Sequence, residues 1–582
     1  MPGSEGTGWR LVDDPAGLTG VAADLAAHEA CGVAVVPGAA SPLEGGPRLV
    51  ALATPAATWL LDVQQVPDLA GLAPLLRAPR PIKVFHHAKP ALRWLAGCGL
   101  AVGGVFDTQL ASQLLHEADR HELPDLTWRW LGQALDRLPT APPPAGPLAP
   151  AQLARAAQEA RLLLDLRQAL RPRLIDAGLA RVATIEFAAV PAVAAMEQAG
   201  VLLDVGAWRA LLRAVEAERD GLEARLMGLL AGTRAQLALL PEVAPPLNLS
   251  SNHQVRAALA RLGVEVPDTS EATLQAVRDA HPAVPLLLQL RHAQKAVTSY
   301  GEGLLAHVHP TTGRLHASFA QLQTSTGRFS CSQPNLQNIP SDDAHRGCFV
   351  APPGHCLIVA DYSQMELRIL AELSGDAAFR RAFEQGLDLH RMTASEMFWV
   401  PYDEVKPSQR SAAKGINFGL VYGRGAASLA GELGVSVERA RELITRYFET
   451  YRGVAAWLQA TAHAVIATRE LRSLAGRRGR FAFDEHDRAA VAAAERAGKN
   501  FPIQASNSDI LKQAMALLPG RLGPLGARLV NCIHDELVVE APAAAADAAA
   551  EVVRATMREA GEAFLRTTPV EVDVKVGASW AK

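Results

Sequence analysis

Two acidic segments far apart in the chain sit where carboxylates could do chemistry. The first is HCLIVADYSQMELRILAEL, from His355 to Leu373. Cys356 to Ala360 is an apolar run suited to a buried strand, and Asp361 follows it directly. A helix begins beyond, with Met365, Leu367, Ile369 and Leu370 at its apolar positions. A carboxylate at the end of a buried strand is poorly solvated unless something pairs with it, and a divalent cation is one such partner. An aspartate capping the next helix is the other reading. The second segment, RLVNCIHDELVVEAP, runs from Arg528 to Pro542, with two apolar β-runs flanking His534, Asp535 and Glu536. Adjacent acids at a hairpin tip repel each other, which a cation relieves; an exposed acidic turn is the alternative. Taken together, two strand-borne carboxylates about 170 residues apart suit a two-metal site, in which ions about 3.5–4 Å apart stabilise the attacking and leaving oxygens of an in-line displacement.

A third segment, PSQRSAAKGINFGLVYG, from Pro407 to Gly423, reads as a helix that Ser408 can cap and Gly423 can end. Arg410, Lys414, Phe418 and Tyr422 recur every four residues, so they form one slowly winding stripe. Two cations suit a triphosphate and an aromatic suits the face of a base; an amphipathic helix with solvated basic residues is the plainer reading. Ala412, Ala413, Gly415 and Gly419 are small enough to let something approach closely.

The rest of the chain must supply the frame. With 582 residues, 49% hydrophobic and 20% charged, it suits about three to five packed units and excludes wholesale disorder. The formal charge of −3 argues mildly against a nucleic-acid binder, yet Arg469, Arg472, Arg477, Arg478 and Arg480 cluster, and a local basic face is what phosphate binding requires. The six cysteines show no CxxC spacing, so reduced, buried thiols are expected. The N-terminus lacks a signal-peptide layout and no uninterrupted apolar run reaches ~18 residues. A cytoplasmic chain with no membrane partner is the expectation.

Residues 1–180 alternate short β-like runs (Gly32–Val36, Arg48–Leu52, Trp59–Val63, Lys83–His86) with helices, as an α/β domain does. A proline-rich stretch, Pro139–Pro150, reads as a loop or stiff spacer. Long helical patterns, Trp208–Leu230 and Leu286–Tyr300, predict an elongated helical arm. Strands return from about Leu305, helices dominate from about Gly375 to Lys499, and the end carries a strand–turn–strand unit, a helix from Ala543 to Leu565 and a strand near Val570–Val576.

With these segments in hand, the chain resembles the family A DNA polymerases, the DNA polymerase I (Klenow-like) group. DYSQMELR (Asp361–Arg368), RSAAKGINFGLVYG (Arg410–Gly423) and HDE (His534–Glu536) resemble its palm and fingers motifs. TSTGRFSCSQPNLQNIP (Thr324–Pro340), NFPIQ (Asn500–Gln504) and the terminal VGASWAK add to the match. The resemblance implies an α/β multidomain fold: an RNase H-like exonuclease-type domain (1–180), then a right-hand polymerase with a helical thumb (181–304), a palm with an antiparallel sheet (305–375 and 500–582) and helical fingers (376–499). It implies DNA-templated synthesis on a primer–template with dNTPs, in repair and replication gap filling, by a nucleoid-associated monomer.

Carried over residue by residue, Asp361, Asp535 and the carbonyl of Tyr362 would hold two Mg²⁺, for which Mn²⁺ can substitute. Glu536 would lie beside the primer terminus. Arg410, Lys414 and His390 would meet the triphosphate, Lys414 protonating the pyrophosphate. Phe418 would pack on the incoming sugar and base, Tyr422 would guard the template-base position, and Gln364 would bind the nucleotide. Glu366, partnered by the Tyr422 phenol, would block a ribose 2′-OH. Arg328, Asn335, Gln337, Asn500, Gln504 and His534 would contact the DNA minor groove and backbone, where geometry rather than sequence is read.

Some positions depart from the family. Met365 stands for isoleucine, Ser341, Asp342 and Asp343 follow NIP where a basic residue is usual, and QASNSD replaces QGTAAD. HAQKAVTSY (His292–Tyr300) has few lysines, so a weaker grip on DNA is expected. In the exonuclease-like domain the resemblance places an Asp and a Glu near Gly32–Pro37, where GVAVVP stands, and another Asp near Ala91. Only Glu159 remains of the third motif, with Arg155 where a tyrosine belongs, and Asp107 matches a position that is no metal ligand. No metal pair can be held, so no proofreading is expected. No 5′-nuclease domain is expected either. A catalytically silent polymerase-like DNA-binding protein is the alternative, against which the intact Asp361, Arg410, Lys414 and Asp535 argue.

Overall fold

The computed structural model describes residues 8–115, 120–137, 146–231 and 247–581. The chain divides into two units, one of residues 1–200, 316–337 and 352–578, the other of 201–315, 338–351 and 579–582. Most of the proline-rich stretch lies outside the described residues; its last residue, Pro150, starts a helix, where a missing N–H costs nothing.

The first unit opens with a six-stranded sheet of β1 (Arg10–Val12), β2 (Ala30–Pro37), β3 (Pro47–Ala53), β4 (Thr58–Asp62), β5 (Ile82–Phe85) and β6 (Val105–Asp107), in the order β1-β4-β3-β2-β5-β6. β2–β3 and β3–β4 pair antiparallel, whereas β5 pairs parallel with β2 and β6 parallel with β5. The four β-like runs read from the sequence are β2 to β5; β1 and β6 have three residues each, too short for an alternation to show. Helix α1 (Pro150–Asp176) lies across β2, and a Cβ at Gly32 would come within 1.9 Å of the Ala160 carbonyl oxygen. Glycine is needed there for the helix to close on the sheet. Lys83 on β5 is fully buried, its ammonium donating to the carbonyls of Leu75, Ala78 and Pro81.

Helix α2 (Ala180–Ala199) is expected from the sequence to start the helical arm, but it belongs to the first unit. Its apolar residues fall nearly all round the helix, with Val182, Ile185, Val190, Val193 and Met196 buried, and periodicity alone cannot separate such a core helix from an arm. It is long and apolar enough to cross a membrane by composition, with 67% of its most apolar 18 residues buried in the protein.

The same unit carries an antiparallel four-stranded sheet of β7 (His355–Tyr362), β8 (Arg528–Ile533), β9 (Glu536–Pro542) and β10 (Val572–Gly577), in the order β8-β9-β7-β10. Helix α3 (Arg488–Leu522) runs unbroken through the 499/500 boundary drawn from the motifs.

In the second unit, α4 (Val205–Ala231) and α5 (Ala283–Tyr300) enclose a core of Leu222, Leu226, Leu259, Leu287 and Leu290. Leu222 and Leu226 are one turn apart, as the 3.6 period requires. The chain end returns here: Trp580 is fully buried edge-on to Phe349, with their ring centroids 5.2 Å apart, under the Arg346 guanidinium.

Candidate active site

Asp361 lies within β7, opposite Glu536 of β9 and Asp573 of β10. It caps no helix: the residue before helix α6 (Met365–Ser374) is Gln364, in left-handed backbone with φ 53°. Arg368, 2% exposed, fixes this turn by donating to the Ser363 and Pro569 carbonyls and the Glu571 carboxylate at 2.6–2.8 Å. The β8–β9 hairpin turns on His534 and Asp535 alone, His534 having φ 54°. Glu536 is therefore not at the tip; it pairs with Ile533 in the strand and is buried. The strand register sets Asp535 one residue beyond the partner of Asp361.

Burial and then the charge of Asp361 push the Asp535 carboxyl up to about 7, with Glu366 adding to the rise and Arg328 opposing it. An acid raised by burial and by the charge of a neighbouring acid, in a half-buried site, suits a hard cation. Among the described residues no group of three or more His, Cys, Asp and Glu side chains forms a ready cage. Two carboxylates at the ends of paired strands are a donor set for a divalent cation that keeps part of its water shell.

The helix of the stripe is α8 (Pro407–Val421), between α7 (Leu389–Phe398) and the later helices. Lys406 precedes it, its N–H donating to Gln409 Oε1 at 2.9 Å, so Ser408 lies in the first turn and is not the cap. Gly423, with φ 73°, follows its C-terminus. What approaches the small residue Gly415 is the protein itself, since a Cβ there would meet the Glu432 carboxylate at 2.4 Å.

At the end of the stripe, the Phe418 and Tyr422 rings stack with centroids 6.2 Å apart. The Tyr422 hydroxyl donates to Glu366 Oε2, and Arg328 donates to Glu366 Oε1. The stripe is thus joined to the acidic sheet through Glu366, and the Tyr422 phenol is raised by burial, by Glu366 and also by Asp535. At the other end Arg410 Nε holds Asp388 Oδ2 at 2.5 Å, while Lys414 is exposed. His390 is expected from the resemblance at the phosphates, yet it is 3% exposed; its Nδ1 takes a hydrogen bond from Asn417 Nδ2 at 2.9 Å and its ring lies 5.7 Å from Phe418.

The DNA-facing candidates are split. Asn335 and His534 are exposed, Gln337 and Gln504 half-buried, and Arg328 is committed to Glu366. Gln364 Oε1 and Asn500 Oδ1 are buried without a protein partner, the arrangement a bound ligand or water would complete. Most of the basic cluster is committed within the protein, and Arg480 is exposed. Arg469 pairs with Glu485, Arg472 with Glu470, and Arg478 donates to the Leu115 carbonyl.

Arg477 instead belongs to a buried quartet that the sequence does not announce. It binds Asp509 at 2.6 Å and also Glu186, while Lys512 holds Glu186 at 2.6 Å and the Gln321 carbonyl at 2.8 Å. All four side chains are at most 3% exposed. Ser508 beside them donates to Gly327, next to Arg328. The one sequence signal is Asp509 and Lys512, spaced by three on a helix face that is otherwise apolar.

In the exonuclease-like domain, Val33, Val35, Ala91, Arg155 and Glu159 line one cavity of about 600 Å³. The positions read as altered therefore do converge. Arg155 Nε binds Glu159 Oε1 at 2.6 Å there. Asp107 is structural: it accepts from the N–H groups of His87, Ala88, Gln109 and Leu110.

Burial lowers His86 to about 3 and His390 to about 4, from 6.5. The unfolded chain takes up protons near 6.5 that these side chains refuse when folded, so stability is at its plateau above that pH and falls as pH drops toward 4. The histidines' share of the unfolding temperature is therefore expected to decline below about pH 6.5, with the raised Asp535 carboxyl pulling the other way, and His390→Gln to remove part of that decline. Identical slopes for the two proteins would refute the assignment.

Residues 230–582 match the family description "DNA polymerase family A" and residues 45–175 the description "3'-5' exonuclease". The chain belongs to the family A DNA polymerases, with an exonuclease-like domain preceding the polymerase domain. It is 40% identical over 441 residues to the thermostable DNA polymerase I of Thermus filiformis, covering 73% of this chain and 51% of that one. It is 37% identical over 545 residues to DNA polymerase I of Pseudomonas aeruginosa, covering 88% and 58%. The chain thus spans about half the length of the curated relatives it matches. Among solved structures it is similar to the POL domain of Pol1 from M. smegmatis, in complex with DNA primer-template and dNTP, with TM-score 0.83, 30% identity and coverage of 98% and 99%. Family A polymerases generally use divalent metal ions.

Proposed function

We propose that this chain is a DNA-templated DNA polymerase that adds dNTPs to a primer 3′-OH by two-metal phosphoryl transfer, working as a monomer in gap filling at the nucleoid. The observation that carries this reading is the acidic end of the sheet's two inner strands, Asp361 with Asp535, and beside it Glu366, bonded to the Arg410–Tyr422 stripe.

Asp361, Asp535 and the Tyr362 carbonyl would hold Mg²⁺, which supplies charge neutralisation at the attacking and leaving oxygens. The chain's own work is positioning, because phosphoryl transfer asks little covalent chemistry of a protein. Lys414 and Arg410 neutralise the triphosphate, and Lys414 can give a proton to the departing pyrophosphate. Phe418 offers a ring face to the incoming sugar and base. Glu366, fixed by Arg328 and Tyr422, stands as a wall at the 2′ position. Glu366→Ala should therefore raise ribonucleotide over deoxyribonucleotide use, judged by kcat/KM, by about tenfold or more; an unchanged ratio would remove Glu366 from that role.

The test of the whole reading is extension of a primed template with each dNTP and Mg²⁺; no templated extension would refute it. Proofreading is absent in this reading, because the nuclease cavity holds an Arg155–Glu159 ion pair in place of a carboxylate set. The Asp535→Ala variant, given single-stranded DNA and Mg²⁺, should leave the 3′ end intact. Metal-dependent trimming by that variant would show a working nuclease.

A further inference from the structure

A groove of about 1510 Å³ in the first unit is lined by none of the residues placed at the active site. It runs between the β5–β6 end of the exonuclease-like sheet, the ends of α1 and α3, and the length of α2. Its floor is apolar. Ala188 and Ala195 of α2 are exposed into it, Pro191 lies between them, and Ile175 is 51% exposed.

Its rim is cationic. Arg77, Arg80, Arg93, Arg167 and Arg171 line it, against Glu29 as the single acid. Arg93 is held by the buried Glu197, and Glu29 takes Arg167 at 2.9 Å and Arg80 at 3.8 Å. Arg77 and Arg171 are exposed, and neither has an ion pair among the described residues. So dense a positive rim on a chain of net charge −3 gives this groove its own field, able to draw in an anionic partner.

We propose that this groove docks an acidic polypeptide segment of a partner protein, its aliphatic side chains seated on Ala188, Pro191 and Ala195 and its carboxylates on the arginine rim. A single nucleic-acid strand would use the arginines but also needs aromatic faces for its bases. The only rings in the lining, Phe106 and Phe187, pack on each other at 4.7 Å and are 7% and 8% exposed. A small ligand fits poorly, since such pockets enclose about 300–1,000 Å³ and this one is larger and open. An amphipathic segment laid in an apolar groove with a charged rim uses both features.

The test is fluorescence anisotropy of the whole chain with a labelled peptide rich in Asp, with Ile and Leu between. Binding is expected in the micromolar range, weakening as salt rises. Arg77→Glu combined with Arg171→Glu should weaken it at least tenfold, as should Ala188→Asp, with thermal unfolding and primer–template affinity unchanged. The same peptide with Asn for Asp should bind at least tenfold more weakly. No binding, equal binding to the charge-reversed chain, preference for oligothymidine at this groove, or self-association of the chain that the double variant abolishes would each overturn the proposal.

Discussion

Primer extension is expected to fall at least about a thousandfold when Asp535 is replaced by alanine. A thousandfold is about 4 kcal/mol of transition-state stabilisation at 1.36 kcal/mol per decade, within the several kcal/mol a metal-held charge supplies. Asp535 can carry so much because it sits next to the strand partner of Asp361, buried enough for its carboxyl to rise to about 7. Removing it leaves Asp361 alone to hold cations. The fold should not suffer, since the substitution ends a repulsion, and thermal unfolding should be unchanged or slightly raised. Asp361→Ala should match it, and the double variant should be hardly worse, because the two act as one unit. Single-turnover extension at saturating dNTP is the measurement. More than about a tenth of the wild-type rate remaining would end the two-metal reading.

The second large effect lies in the buried quartet. Arg477→Met should destabilise the first unit by about 3–5 kcal/mol, the range for breaking a buried ion pair from one side. Two carboxylates, Glu186 and Asp509, would then share one cation, Lys512, out of contact with water. Arg477→Lys should recover only part of the loss, because the guanidinium reaches Asp509 through both Nε and Nη2. Arg477→Met with Asp509→Asn should recover most of it by restoring neutrality. Urea midpoints for the four proteins decide this; a loss below about 1 kcal/mol in Arg477→Met would mean that water reaches the quartet. Ser508 and Gly327 join this cluster to Arg328, so part of the cost should appear as looser control of Glu366.

The active-site sheet was legible in the sequence because its signals are local. Apolar runs of five or so residues ending in acids mark β7 to β9, and the four-residue spacing marks the stripe on α8. The partners of those side chains were not legible, because they come from distant positions. Nothing near Arg328 shows that it turns to Glu366, and nothing in RSLAGRRGR shows that Arg477 is fully buried against Asp509 and Glu186 while Arg472 pairs with Glu470 at the surface. The burial of His390 was not legible for the same reason: it depends on Asn417 and Phe418, 27 and 28 positions on. Helix α2 deceived the periodicity because both of its faces are apolar, one toward the core and one toward the groove. The exonuclease-like domain was readable by its motifs, and the positions read as altered line one cavity.

Helix α3 acts as a ruler. Its 35 residues span about 50 Å at 1.5 Å each. Along that length it carries Asn500 and Gln504, then Asp509 and Lys512, then Ala516 and Pro519 at the peptide groove. One residue inserted midway would turn everything beyond it by about 100° and slide it 1.5 Å. Asp509 would leave Arg477, and Pro519 would leave the groove, in a single step. Length change in this stretch is therefore closed to the protein, and variation in size must be taken up in the loops that flank residues 488 and 522.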